Sequence, residues 1–385
     1  MANSDILISM RIIKETHFDN FICAADKCSD TCCQGWQIIL DDEALKRFES
    51  YEGPYRKELT EAVTFDGEDH LICFAANGKC PLLNEKGLCN LVLTEGEEFI
   101  SEICHMYPRH VEEFDGIREW SLSISCPHAA KTLLLEETPL TYDAVDNDEE
   151  EELYEDFEDF DTLLYTKLED SREVIFNILK DRSISIFLRL KLILSLGRKL
   201  QDKLDDNELF DMDDIIDEYS SGYKDMDIVL SDDPSEVFLT FMKEIKDNFD
   251  IMLRLEKLRN EWNYVLSDTL KLSELKEEEY QKLCIDFLNS FNDCNIEIVL
   301  ENLIYTYIFT YYLGAVYDDC LYAKLSFSVY SVFMMVHIFL SKMDQALTNI
   351  SADDLIDVVY RFARETEHSD INLNILEEEC EKLFA

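Results

Sequence analysis

The feature that most constrains this chain is a group of four cysteines within eleven residues. Cys23, Cys28, Cys32 and Cys33 are followed directly by Gln34, Gly35 and Trp36. Four thiols this close in sequence can surround one metal centre without long-range folding, and glycine lets the backbone approach it closely. The first part of the chain is therefore predicted to be irregular, with short helices between turns.

Further cysteines strengthen the interpretation as a metal site. Nine of the thirteen cysteines precede residue 130, and the other five of these nine are Cys73, Cys80, Cys89, Cys104 and Cys126. A proline follows Cys80 and Cys126, as often happens in iron–sulfur motifs. The first ten residues lack the basic start and apolar run of a secretory signal, so a cytoplasmic location is expected, where clustered cysteines indicate metal ligands. Spacing leaves zinc and iron–sulfur both open.

The charge balance excludes one class of partner. The chain has 83 acidic and 35 basic residues, a net charge of -48. Nucleic acids require a concentrated basic surface, so no nucleic-acid partner is expected. Eleven of the sixteen residues from Asp146 to Asp161 are acidic. This run predicts a solvated linker, with electrostatic attraction of a lysine-bearing partner as the alternative.

Hydrophobic periodicity predicts a mainly α protein in three parts. Residues 1–130 form a small, irregular cysteine-rich domain that binds a metal or an iron–sulfur cluster, residues 131–169 an acidic linker, and residues 170–385 an all-helical domain. Helix-period apolar residues predict the following helices: 172–180, 184–204, 235–266, 275–291, 296–320, 325–340 and 352–366. Asp41, Ser171 and Ser351 are predicted helix caps, and Thr94 to Glu97 a capping box.

The segment 325–340 is the most apolar of the chain. It is shorter than the roughly 20 residues that a membrane-spanning helix needs, so a buried central helix is predicted and no membrane insertion is expected. His337 within it is predicted to be a hydrogen-bonded core residue.

Taken together, the cysteine motifs resemble those of a known family. They comprise Cys23 to Trp36, Cys80-Pro81-Leu82-Leu83-Asn84 with Gly87-Leu88-Cys89, Cys104 with Tyr107-Pro108-Arg109, and Ser125-Cys126-Pro127. This set resembles the flagellin lysine-N-methylase family, which is related to zinc- or iron-chelating cysteine-cluster domains. The motif-rich likeness covers about residues 5–130.

The resemblance implies a cytoplasmic enzyme that transfers methyl groups from S-adenosylmethionine to lysine side chains of flagellin or another lysine-rich protein. It also implies an iron–sulfur cluster, of the four-iron type, with zinc as the alternative. The positions that match the family's metal ligands are Cys23, Cys28, Cys32, Cys33, Cys80, Cys89, Cys104 and Cys126. Cys73 has no counterpart in the family pattern.

The residues also indicate how a methylase could use this chain. The closely spaced glycines of a doubly wound donor-binding domain are missing, so any donor pocket is non-standard. Methylation needs a neutral amine and a cationic sulfonium, which aromatic faces stabilise. Trp36 and Tyr107 are candidate donor-binding residues, with Arg109 as a clamp for a carboxylate. Trp120, Tyr305, Tyr307, Tyr311 and Tyr312 are further aromatic candidates, and no general base is identified. The alternative function is an iron–sulfur or zinc module for metal binding or electron transfer.

Overall fold

The computed structural model describes residues 7–36, 38–75, 78–152, 160–225, 232–291, 293–344 and 350–384. It is mainly helical, as predicted, with a mixed sheet beside the helices. The strands are β1 Leu7–Glu15, β2 Val63–Phe65, β3 His70–Ile72, β4 Arg109–Phe114, β5 Ile117–Leu122 and β6 Tyr142–Glu152. The helices of the first 140 residues are α1 Asp42–Glu49, α2 Arg56–Ala62, α3 Asn90–Glu95, α4 Glu102–Met106 and α5 Pro127–Leu134.

The rest of the described chain is almost entirely helical. Its helices are α6 Thr162–Leu179, α7 Ile186–Asp205, α8 Met212–Gly222, α9 Pro234–Asp247, α10 Asp250–Arg254, α11 Trp262–Leu270, α12 Glu277–Leu288, α13 Ile296–Tyr311, α14 Ala315–Asp318, α15 Leu321–Asp344, α16 Ala352–Thr366 and α17 Asp370–Cys380. Short 3-10 turns link several of them.

Four strands form one sheet in the order β4-β5-β1-β6. The antiparallel hairpin β4–β5 turns at Asp115-Gly116, where Gly116 has a φ of 71°. A positive φ at this place is typical of two-residue hairpin turns and favours glycine. Strand β1 pairs parallel with β5 and antiparallel with β6. The strands β2 and β3 form a separate antiparallel pair.

The segment predicted as an acidic linker contains regular structure. Residues 142–152 form β6, which pairs with the whole of β1, from Tyr142 opposite Glu15 to Glu152 opposite Leu7. Residues 153–159 of the acidic run lie outside the described residues. β6 is an edge strand that pairs only with β1 in this sheet. Charged residues on an edge strand discourage the addition of a further strand. The division of the chain at residues 130 and 169 stays a prediction.

The larger of two hydrophobic cores surrounds helix α15. Residues from Leu325 to Leu340 of this helix are buried, and helices α7, α13 and α17 pack against it. Over Leu321–Met343 the helix is long and apolar enough to cross a membrane, but the most apolar stretch is entirely buried in the protein. His337 is a core residue, as predicted: its Nδ1 lies 2.8 Å from the Tyr280 hydroxyl.

The predicted helices are broadly confirmed, with differences at several ends. The predicted helix 235–266 is three helices, α9 to α11. Ser171 does not cap a helix, because α6 begins nine residues earlier, where the Asp161 side chain accepts a hydrogen bond from the Leu164 amide. The predicted caps Asp41 and Ser351 are confirmed. The capping box at Thr94 is wrong, since Gly96, with a φ of 94°, ends α3 there.

A second, smaller core lies under the cysteine-rich loops. It contains Ile38, Phe48, Leu59 and Leu91, with Cys80 among its buried residues. The four-stranded sheet does not belong to this smaller core, because its residues Ile13, Phe114 and Leu122 are buried in the larger core with the helices. A buried ion pair fastens this sheet: Arg172 of α6 donates two hydrogen bonds to Glu119 of β5, one of 2.7 Å. The first 130 residues are therefore divided between two cores.

Candidate active site and cysteine cluster

The loop that carries the first cysteines is organised by Asp30. One carboxylate oxygen of Asp30 accepts hydrogen bonds from the Thr31 amide and from the Gln34 side chain, both at 2.9 Å. The other oxygen accepts a hydrogen bond of 2.9 Å from Arg364 of α16. Asp30 thus shapes the turn and also ties it to the helical part of the chain.

Cys32 and Cys33 lie at the centre of the predicted ligands, with their sulfur atoms 4.0 Å apart. Three more, Cys80, Cys89 and Cys104, belong to the segments that fold against this pair. The Cys80 amide donates a 3.0 Å hydrogen bond to the Cys33 carbonyl, and a bridge between Leu83 and Cys89 folds the next loop onto this pair. Cys104 approaches from the short helix α4. A backbone hydrogen bond brings Cys80 to Cys33, whereas side-chain hydrogen bonds from Arg47 to the Phe99 and Ile100 carbonyls hold the segment that leads to Cys104.

The other three predicted ligands lie around the same pair. Cys28 and Cys126 are near enough to Cys32 for their charges to interact, and exposed Cys23 is near Cys28. Cys73, which has no counterpart in the family pattern, is exposed, and its sulfur lies 3.8 Å from the Phe74 carbonyl oxygen. The structure therefore brings the eight predicted ligands into one neighbourhood.

Burial works against thiolates in this neighbourhood. It raises the pKa of Cys80 to about 12 and that of Cys104 to about 11. The pKa of Cys33 is raised by its hydrogen bond with Cys32, by burial and by the surrounding thiols. The same hydrogen bond lowers the pKa of Cys32, and Arg364 lowers it further. Deprotonating several of these thiols together requires a compensating positive charge.

Two buried arginines provide part of that charge. Arg364 donates hydrogen bonds to Asp30 and to the Ser125 carbonyl, and Arg259 donates one of 3.2 Å to the Gln34 carbonyl. Within the described part of the chain, Arg364 Nη2 and Arg259 Nε have no hydrogen-bond partner. Buried guanidinium groups with free N–H groups call for an additional anion.

The unpartnered N–H groups of Arg364 and Arg259 show whether these residues suit the metal centre that the family resemblance implies. Thiolates are the soft donors that zinc and iron–sulfur clusters take, and a thiolate-bound centre is anionic, which suits the two arginines. In donor type and charge the residues fit such a centre. Their side chains are not already arranged as ligands, since the described ranges contain no group of three or more Cys, His, Asp or Glu residues placed to hold a metal ion.

A cavity of about 360 Å³ lies beside the cysteine cluster. This volume falls within the range of about 300–1,000 Å³ that is typical of small-molecule sites. The walls come from Trp36, the end of α4 with β4, the end of β5, helix α13 and the junction between α16 and α17. The three predicted donor-binding residues, Trp36, Tyr107 and Arg109, all line it.

Aromatic rings form the wall between the cavity and the cysteines. Trp36 packs against Tyr107 and His368, with ring centroids 5.7 and 5.2 Å apart. The Trp36 indole donates a 2.8 Å hydrogen bond to the Cys32 carbonyl, and the Tyr107 hydroxyl lies 3.0 Å from the Ser125 hydroxyl. Any rearrangement of the cysteine loop would therefore move a wall of the cavity.

The cavity lining also contains a carboxylate, that of Glu367, which was not predicted from the sequence. The Tyr307 hydroxyl donates a 3.0 Å hydrogen bond to Glu367, and the Ser123 hydroxyl donates a longer one of 3.5 Å. Burial raises the pKa of Glu367 to about 7. Of the aromatic candidates, Tyr307 and Tyr311 line this cavity, whereas Tyr305 and Tyr312 are buried in the core. Glu367 follows the last helical residue of α16, and no motif in the sequence marks it.

Arg109 and His110 extend the polar lining. The Arg109 guanidinium lies over the rings of Phe18 and Phe21, at 5.7 and 5.8 Å, and donates a 3.4 Å hydrogen bond to the Phe21 carbonyl. His110 lies 2.8 Å from the Glu112 carboxylate. Burial alone would lower the pKa of His110, but Glu112 and Glu367 raise it. The cavity thus combines aromatic faces, a guanidinium and a carboxylate that can take up a proton near neutral pH.

Comparison with known proteins identifies the helical part of the chain. The sequence model of the FliB lysine N-methylase C-terminal domain matches residues 172–384, which are 213 of the 385 residues. The chain belongs to the FliB lysine N-methylase family. The family resemblance stated from the cysteine motifs is thereby confirmed, and by a different part of the sequence from the one that suggested it.

Curated relatives agree with the family assignment. The chain is 30% identical over 132 residues to the lysine-N-methylase of Salmonella choleraesuis and 29% identical over 127 residues to that of Salmonella typhimurium. These matches cover 31% and 30% of this chain, and the chain spans only 30% of the length of either relative. The flagellar biosynthetic protein FliU of Salmonella muenchen is 30% identical over 132 residues, 31% of this chain and 72% of FliU. No solved structure matches the chain.

Proposed function

We propose that this protein is a protein-lysine N-methyltransferase that acts on flagellin in the cytoplasm. Family membership supports the reaction class, and the names of the curated relatives, lysine-N-methylase and flagellar biosynthetic protein, support the substrate. The observation that carries the proposal is the cavity, because it places the predicted donor-binding residues Trp36, Tyr107 and Arg109 together with a carboxylate.

The cavity suits both reactants of a methyl transfer. S-adenosylmethionine, as the methyl donor, supplies an electrophilic methyl group on a cationic sulfonium. The faces of Trp36 and Tyr107 stabilise positive charge, and the Arg109 guanidinium can pair with a carboxylate. The lysine side chain of a protein substrate is long and narrow enough to enter from the surface. Desolvation among these rings favours the neutral, nucleophilic form of its amine.

The proposal includes an iron–sulfur cluster of the four-iron type at the cysteines, with zinc as the alternative. Such a cluster, when bound, supplies a one-electron redox centre held by thiolates. The proposed ligands are the eight cysteines that match the family's metal ligands, Cys23, Cys28, Cys32, Cys33, Cys80, Cys89, Cys104 and Cys126. The cluster would also fix Trp36, since the indole is bonded to the backbone of Cys32.

The methylation proposal is tested with the full-length chain purified without oxygen. Incubated with unmethylated flagellin and S-adenosylmethionine carrying a labelled methyl group, it should transfer label to flagellin lysines, located by mass spectrometry. Trp36→Ala should lower the transfer by at least tenfold, since it removes an aromatic wall. Trp262→Ala, in the helical core, is the control for general loss of structure. Absence of transfer by the wild type would refute the proposal.

Metal content is tested in the same preparation. We expect iron and acid-labile sulfide, which Cys32→Ser or Cys33→Ser should remove. The matched control is Cys73→Ser, which changes an exposed cysteine outside the cluster and should leave the iron content unchanged. Stoichiometric zinc without sulfide would support the zinc alternative. An iron–sulfur chromophore without methyl transfer would support the electron-transfer module.

A further inference from the structure

We propose that Glu367 is the general base of the methyl transfer, taking a proton from the ammonium group of the substrate lysine. The inference rests on the proposed function and deepens it, because it assigns the step that makes the amine nucleophilic. Neither the cysteine motifs nor the family match assigns a base.

The position of Glu367 is the first argument. Glu367 lines the same cavity as Trp36 and Tyr107. The next residue, His368, packs against the Trp36 ring at 5.2 Å, so the carboxylate belongs to the same site as the candidate donor-binding residues. The hydrogen bonds that Glu367 accepts come from the hydroxyl groups of Tyr307, Ser123 and Tyr311 rather than from a lysine or arginine. A carboxylate held by neutral donors keeps the capacity to bind a cation or a proton. These hydroxyls also fix its direction.

The surroundings favour proton exchange near neutral pH. Burial raises the pKa of Glu367 to about 7, while the Tyr307 hydroxyl and the positive charge of His110 partly oppose this. A general base is most effective when its pKa lies near the working pH. The titratable and charged groups that line the cavity together with Glu367 are Tyr107, Arg109, His110, Glu112, Tyr307, Tyr311, His368 and Asp370.

The other candidates in the cavity are poorer bases. Burial lowers the pKa of His368 to about 3, with help from Arg364 and Arg259, so this imidazole binds a proton weakly. The Glu112 carboxylate is already engaged by His110 at 2.8 Å. Asp370 is exposed, so water competes for it. Glu367 alone combines a cavity position, neutral partners and a pKa near 7.

The chemical step balances as follows. An N–H bond of the lysine ammonium breaks and an O–H bond forms on Glu367, which leaves a neutral amine. The amine lone pair forms the N–C bond to the methyl group of a sulfonium donor, the C–S bond breaks, and its electron pair stays on sulfur. Glu367 then passes its proton to water, and the methylated lysine regains a positive charge.

The test is the pH dependence of methyl transfer to flagellin, measured under single-turnover conditions with the full-length, anaerobically purified chain. For the wild type, the rate should rise with pH and level off above about 7, where Glu367 is deprotonated. Glu367→Gln should lower the plateau by about 100-fold or more, the usual contribution of a general base. Its residual rate should keep climbing toward the pKa of a free lysine, roughly 10.4. The control is Glu378→Gln, which makes the same change on the exposed face of α17 and should alter neither rate nor profile.

Two further variants separate a base from a structural role. Tyr307→Phe removes a hydrogen bond that lowers the pKa of Glu367, so the acid limb, the pH range over which the rate rises, should move to higher pH. His110→Gln should move it in the same direction, because it removes a nearby positive charge. If His110→Gln abolished the limb, the limb would belong to His110 and the inference would be wrong. If the wild type transfers methyl groups and Glu367→Gln keeps its rate and profile, the inference alone fails. If the wild type transfers none, the proposed function fails as well.

Discussion

Gly35 gives a quantitative test of how the cysteine loop meets the helical part of the chain. Gly35 has a φ of 75°, and a Cβ atom added there would clash with Arg259 Nε and lie 3.0 Å from Arg259 Cγ. Gly87 is a matched control, since it has the same φ of 75° and nothing within 4 Å of an added Cβ. Both substitutions to alanine force a non-glycine residue into the left-handed region. Only Gly35→Ala must also displace a buried arginine.

The expected magnitudes follow from these two contributions. The left-handed conformation costs an alanine about 1 kcal/mol relative to glycine, so Gly87→Ala should lower the free energy of unfolding by about that amount. Arg259 is 8% exposed and its Nη2 bonds to the Gln34 carbonyl, so moving it loses a charged hydrogen bond, about 1.5–3 kcal/mol. Gly35→Ala should therefore cost about 2.5–4 kcal/mol in total.

Urea unfolding followed by tryptophan fluorescence measures both variants. A double-mutant cycle with Arg259→Ala isolates the contact: in that background Gly35→Ala should cost only about 1 kcal/mol, as at Gly87. Equal losses for Gly35→Ala and Gly87→Ala in the wild-type background would refute the close approach of Arg259 to the loop. The position of the two arginines beside the cysteines would then have to be revised.

Two other predictions concern the core. Glu119→Gln leaves buried Arg172 without its counter-charge and should lower the free energy of unfolding by about 3–5 kcal/mol. The control Glu43→Gln, in an exposed pair with Arg47, should change it by less than about 1 kcal/mol. Similar losses for the two variants in urea unfolding would contradict the burial of the Glu119–Arg172 pair. Burial lowers the pKa of His337 from 6.5 to about 3, so the unfolded state binds a proton more readily and the folded state loses stability as pH falls below 6.5. His337→Phe removes this loss, so its free energy of unfolding should gain on the wild type by about 1.6 kcal/mol in total between pH 6.5 and 5. A difference that does not change with pH would show that His337 titrates normally.

The helices were predictable because their apolar residues repeat with the helical period over long stretches. The sheet was not, for reasons that differ between strands. In β6 nearly every residue after Val145 is acidic, so no alternation of apolar and polar residues marks it as a strand. In β4 and β5 the signal was present but overlooked, since Asp115-Gly116 between two short segments is a typical hairpin turn.

The candidate site was predictable only on the side that carries a dense motif. Trp36, Tyr107 and Arg109 adjoin cysteines, so the motif led to them, and all three line the cavity. Glu367 and His368 lie in a polar stretch after an ordinary amphipathic helix, where nothing distinguishes them from the rest of the chain's 83 acidic residues and 7 histidines. Tyr307 and Tyr311 were noticed for their aromatic character, yet periodicity could not separate them from Tyr305 and Tyr312, which are core residues on the same helical segment.

The structure joins these two sides through buried charge. Arg364 reaches from α16 to Asp30 in the cysteine loop and to the Ser125 carbonyl before Cys126, and three residues later in the sequence Glu367 enters the cavity. Arg364 and Arg259 lie beside the cysteine loop, where they would offset the charge of a thiolate-bound centre, and Trp36 and Tyr107 of the first half line the cavity together with Glu367 of the second. Neither half of the chain contains all of these residues. A change in the charge of the cysteine cluster would act on Arg364, and through the hydrogen bond of the Trp36 indole to Cys32 it would act on the lining of the cavity.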